Sequence, residues 1–91
     1  MQTYQHYING QFVDPKAGVW FESENPYNGE VWASIPRGDA EDVDLAVAAA
    51  KAAFDGEWGQ TGPTQRGKLL VKLAEIVERE AARLGEIEVR D

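Results

Sequence analysis

The chain has 91 residues, 43% of them apolar, and carries nine basic against sixteen acidic side chains for a net charge of −7. No apolar run approaches the roughly 18 residues of a membrane span, the first basic residue is Lys16, and cysteine is absent. Membrane, secretory-signal, disulfide and thiolate-metal readings are therefore not expected, nor is a nucleic-acid partner for so acidic a chain; the expected location is cytoplasmic.

The length allows one domain, and the pattern changes along it. Residues 1–45 hold two basic and eight acidic side chains, net −6, and are rich in aromatic and turn residues. The remaining residues, with seven and eight, are rich in Ala, Leu, Glu and Lys. That shift predicts β structure over 1–38, then helices over 39–55 and 63–91, in one unit.

Tyr4 to Ile8 and Gln11 to Val13 flank Asn9-Gly10, a pair that tolerates positive φ and suits a type I′ hairpin turn. Val19 to Ser23 is a second β-prone run, ended by Asn25-Pro26 because a residue before proline avoids the helical region. Asn28-Gly29 predicts another tight turn. Val31, Ala33 and Ile35 alternate with Trp32 and Ser34 up to Pro36, the pattern of a strand. Nothing in these residues says which strand pairs with which.

Asp39 suits a helix N-cap, with Glu41, Asp42 and Asp44 where the helix dipole favours negative charge. Val43, Val47, Ala50 and Phe54 form one apolar stripe within an Ala-rich segment. Gly56, Gly59 and Gly62 interrupt the pattern around Trp58, and Pro63 opens the last helix. There Leu70, Leu73, Val77, Leu84 and Ile87 keep a three-four rhythm whose missing member is Glu80. Leu69, Ile76 and Ala81 form a second apolar side, and the Val43–Phe54 helix is expected to cover one of the two. Unbroken to Arg90, the helix would reach about 42 Å, far beyond the ~12 Å radius of gyration of a compact chain this size. It is expected to break near residues 79–82 or to lie along a body outside this sequence. No Gly or Asn caps it before Asp91, which reads as a cut.

Taken together, Tyr7-Ile8-Asn9-Gly10-Gln11-Phe12-Val13 and Phe21-Glu22-Ser23-Glu24-Asn25-Pro26-Tyr27-Asn28-Gly29-Glu30-Val31 resemble the opening of the NAD(P)-dependent aldehyde dehydrogenase superfamily. Ile35-Pro36, Ala40 to Asp44, the Ala-rich run to Phe54, Trp58, Arg66-Gly67-Lys68-Leu69-Leu70 and Leu73-Ala74 continue the resemblance in order. It implies an α/β fold, here the N-terminal piece of an incomplete Rossmann-like cofactor domain: short hairpin strands followed by two long helices. It implies a parent enzyme that oxidises an aldehyde to a carboxylic acid with NAD or NADP, through a thiohemiacetal on a Cys. That Cys, a Glu base, an oxyanion-binding Asn and the cofactor's glycine turn all lie downstream in the family. No catalytic or cofactor-binding residue is therefore assigned to residues 1–91. The implied partners are the remainder of the polypeptide and, through it, the aldehyde, with a homo-oligomeric parent.

The resemblance also implies a partial monovalent-cation site, with main-chain carbonyls at Ser23 and Glu24 and the Asp91 carboxylate, an oxygen donor set suited to a hard cation. Other clusters read more plainly. Asp39, Glu41, Asp42 and Asp44 lack a calcium-loop spacing and belong to a helix start; Glu75, Glu78 and Glu80 form a solvated face. His6 is expected at a surface or strand edge. Trp20, Trp32 and Trp58 are expected to pack against structure outside this sequence. The alternative function class is a non-catalytic helical module that docks a partner through the Leu70–Ile87 stripe.

Overall fold

A computed structural model describes all residues, 1–91. Five short strands come first: β1 (Gln2–Thr3), β2 (His6–Ile8), β3 (Gln11–Val13), β4 (Trp20–Glu24) and β5 (Val31–Pro36). Four helices follow: α1 (Ala40–Asp55), α2 (Glu57–Gln60), α3 (Pro63–Arg79) and α4 (Ala81–Arg90).

β2 and β3 form a two-residue hairpin, with Ile8 opposite Gln11 and His6 opposite Val13. Asn9 (φ 53°) and Gly10 (φ 74°) both lie at positive φ, the requirement of a type I′ turn whose twist matches the strands. Tyr4 and Gln5 stand outside this ribbon, contrary to a strand running from Tyr4, because the chain changes sheets there. The second Asn-Gly pair also lies in a turn, as expected, but in a longer one than the first. The connection runs from Asn25 to Glu30, whose carbonyl accepts the Asn25 N–H at 2.8 Å, and only Gly29 has positive φ. The Asn25 side chain takes the Tyr27 N–H and the Asn28 side chain takes that of Glu30, so the chain closes a longer loop.

β4, β5 and β1 form a second sheet with β5 in the centre. β4 runs antiparallel to it, while β1 pairs in parallel, Gln2 with Ala33 and Thr3 with Ser34. The ladder shifts between Ser23 and Glu24, which face Ala33 and Val31, leaving Trp32 as the bulged residue. Ala33, at the crossing of all three strands, is the one apolar side chain with no exposure. Two of the tryptophans pack within the chain, on Tyr4. The Trp32 ring meets the Tyr4 ring edge-on at 5.9 Å, and Trp20 Nε1 donates to the Tyr4 carbonyl at 3.4 Å.

α1 starts at a capping box: Asp39 accepts from the Asp42 N–H and Asp42 accepts from the Asp39 N–H, each at 3.1 Å. The turn into α2 is tight enough that a Cβ at Gly59 would run into the Phe54 carbonyl, so glycine is required there. Pro63 occupies the first turn of α3, and the helix ends at Arg79 with Glu80 at φ −96°, ψ 9°.

The whole is a thin plate of 47 × 34 × 15 Å with a radius of gyration of 16.6 Å. Its accessible surface is 7325 Å², against about 5,300 Å² for a compact monomer of this mass. The expectation that α1 covers one side of the last helix is not met. Phe54 on α1 is 70% exposed and Leu70 on α3 is 63% exposed, because α2 and the glycine-rich turn carry α3 away from α1.

Candidate functional site

Two polar constellations tie distant parts of the plate together. In the first, Ser23 on β4 donates its hydroxyl to Asp91 Oδ1 at 2.7 Å, joining residues 68 apart. Glu24 does not join them through its side chain, since successive strand side chains point to opposite faces. Beside this contact a cleft of about 680 Å³ separates β1 and β5 from α4, with Tyr4, Asn28, Trp32, Arg83, Glu86 and Arg90 among its walls. Trp32 Nε1 is buried without a hydrogen-bond partner. Sequence reading missed this cleft; the only signal was Trp32 on the face opposite Ala33. No group of three or more His, Cys, Asp or Glu side chains converges anywhere.

The second constellation centres on Asp42, one of three buried residues. Its Oδ1 accepts the Lys16 N–H at 3.0 Å, its Oδ2 accepts the Asp39 N–H, and His6 Nε2 lies 3.8 Å from Oδ2. His6, on an edge strand as expected, is half-buried against α1, because β2 lies across the start of that helix. The Lys16 N–H, then the Asp39 N–H, hold the Asp42 carboxyl below the usual carboxylate range, against the opposing effect of burial. A depressed folded-state value contributes stability above the unfolded value of ~3.9, and that contribution is lost as pH falls through the folded value. Asp42→Ala is accordingly expected to lower the melting midpoint at pH 7 by about 5 °C or more. The difference from the parent chain should shrink below pH 4. A midpoint gap that stays constant down to pH 2 would show that the carboxylate does not act through its charge.

Comparison with known proteins decides what these elements belong to. The family model described as "Aldehyde dehydrogenase family" matches residues 12–91. This chain belongs to that family. A dehydrogenase of (Z)-2-((N-methylformamido)methylene)-5-hydroxybutyrolactone from Acinetobacter baylyi is 48% identical over 92 aligned residues, covering 100% of this chain and 18% of the relative. Aldehyde dehydrogenase family 2 member C4 of Arabidopsis thaliana is 46% identical, covering 93% and 17%. Among solved structures, the NAD+ complex of an aldehyde dehydrogenase from Bacillus cereus superposes with a TM-score of 0.94 at 35% identity, covering 99% of this chain and 18% of that one. The chain therefore spans under a fifth of the length of the aldehyde dehydrogenases it matches. Its fold is a part of their α/β cofactor-binding architecture.

Proposed function

We propose that this chain supplies the N-terminal strands and covering helices of an aldehyde dehydrogenase that oxidises an aldehyde to a carboxylic acid with NAD or NADP. The observation that carries the reading is the superposition of the whole plate on the opening part of an NAD+-bound family member. In this reading residues 1–91 provide scaffold, while the Cys nucleophile, the Glu base and the cofactor turn come from elsewhere in the enzyme. The bound cofactor accepts hydride there; the segment's own part is to hold the sheet edge and cover one side of the domain. A relative from Xenopus tropicalis that is 42% identical is named a cytosolic dehydrogenase, which supports a cytoplasmic location. A homo-oligomeric enzyme follows from the family resemblance alone. The docking-module alternative has no support among the relatives.

The test is the transcript beyond the Asp91 codon, together with intact-mass trapping. An in-frame continuation through a glycine-bearing βα turn and a later Cys, with the aldehyde adduct on that Cys, is the expected result. An adduct on Lys51 or another lysine of this segment would overturn it.

We also propose that Ser23 and Glu24, through main-chain carbonyls, and Asp91, through its carboxylate, take part in a monovalent-cation site. The Ser23–Asp91 contact at 2.7 Å supports this, because it puts a carboxylate, a hard oxygen donor, beside the end of β4. At least one more ligand comes from outside these residues. In the complete enzyme, K+ or Na+ should raise the melting midpoint over tetramethylammonium at equal ionic strength, and Asp91→Asn should abolish the difference. Equal midpoints in all three salts would refute the site.

A further inference from the structure

The chain has three asparagines, Asn9, Asn25 and Asn28, and two of them precede glycine. Glycine offers no side chain to hinder attack by its own main-chain nitrogen on the preceding side-chain amide, so both Asn-Gly pairs are chemically suited to succinimide formation. Asn25 is not, since Pro26 has no N–H to lose.

The structure separates the two remaining pairs. At Asn28-Gly29 the attacking nitrogen is engaged: the Gly29 N–H donates to the Asn25 carbonyl at 2.7 Å. The target amide is held as well, because Asn28 Oδ1 accepts the Glu30 N–H at 3.0 Å and Nδ2 donates to Glu30 Oε2 at 3.4 Å. At Asn9-Gly10 none of these restraints exists. The Asn9 side chain is exposed and makes no hydrogen bond, and the Gly10 N–H has no acceptor. The pair also caps a two-stranded ribbon, a structure that opens locally at little cost in free energy.

We infer that Asn9 is a site of spontaneous modification, converting to aspartate and isoaspartate, and that Asn28 is protected by its turn. The Gly10 nitrogen forms a bond to Asn9 Cγ while the Cγ–Nδ2 bond breaks. Water relays the Gly10 amide proton to the leaving nitrogen, and ammonia departs. Water then opens the five-membered succinimide. Hydrolysis at Cγ leaves aspartate in a normal main chain; hydrolysis at the main-chain carbonyl leaves isoaspartate, with the chain routed through Cβ and Cγ. Nothing is oxidised or reduced. Either product adds a negative charge, and isoaspartate adds a main-chain atom at a turn that closes Ile8 on Gln11 with only two residues. The modified hairpin loses that register, and with it the placement of His6 against Asp42.

The experiment incubates the chain at mildly alkaline pH in native buffer and in concentrated urea, then quantifies both sites by peptide mass spectrometry, with enzymatic methylation of isoaspartate as a second readout. In native buffer Asn9 should convert about tenfold or more faster than Asn28, and in urea the two rates should approach each other. Equal rates in native buffer, or Asn28 converting first, would overturn the inference. So would a native rate ratio unchanged by urea, since the selectivity would then owe nothing to the fold.

Discussion

The purified 91-residue chain, given aldehydes with NAD+ or NADP+, is expected to form no reduced cofactor above the buffer background. The mechanism that the family resemblance implies needs a thiolate to add to the aldehyde carbonyl first. The chain has no cysteine. Its single histidine sits against the carboxylate that caps α1. Its glycines form no G-x-G-x-x-G turn to carry a pyrophosphate. With nucleophile and cofactor turn both absent, the loss relative to a working enzyme is the full catalytic enhancement, about 10⁶-fold or more. The check is absorbance of NADH or NADPH over a range of pH and aldehyde chain lengths. Aldehyde-dependent reduction by this chain alone would contradict the scaffold reading.

A second large effect is expected in solution behaviour: the chain by itself should self-associate. Its surface exceeds that of a compact monomer by about 2,000 Å², roughly the area a stable protein interface buries. Much of the excess is apolar and lies on two helices, with Val47 and Phe54 on α1 and Leu70, Leu73 and Val77 on α3 all exposed. Covering a Val, Leu or Phe side chain contributes roughly 1.5–3 kcal/mol, so these five are enough to offset part of the entropic cost of association. Replacing Leu70 and Leu73 by Gln keeps good helix formers in place and should weaken association by about a hundredfold, a change of ~2.7 kcal/mol. Sedimentation at several concentrations reads the result, with near-ultraviolet circular dichroism at the tryptophans reporting packing. A monomer at every concentration with a sharp melting transition would show that the exposed stripes do not drive association.

The local elements were legible because their causes are local. Asn9-Gly10 demands positive φ at two successive residues, and few structures other than a type I′ hairpin use that. Asp39 offers a carboxylate to free N–H groups three residues on, and the helix starts there. At Asn28-Gly29 the turn was legible but its length was not, because the dipeptide sits beside Asn25-Pro26, whose side chain and fixed φ build a longer loop around it. The neighbour of His6 was not legible, because a lone histidine on a short strand carries no mark of what will lie across it.

The sequence by itself determined the succession from short strands to helices and the family to which they belong. Those follow from turn residues, caps, apolar periodicity and residue types, each readable within a few positions. Only the tertiary structure decided that β1 pairs in parallel with β5, that Asp42 gathers N–H groups from Lys16 and Asp39 beside His6, and that Ser23 meets Asp91 across 68 residues. It alone also showed which of two identical Asn-Gly pairs is locked. A two-residue strand has no periodicity to detect, and a contact between distant residues depends on how the elements are stacked. Stacking is set by the burial of shared faces, and most of the apolar faces here remain uncovered within these 91 residues.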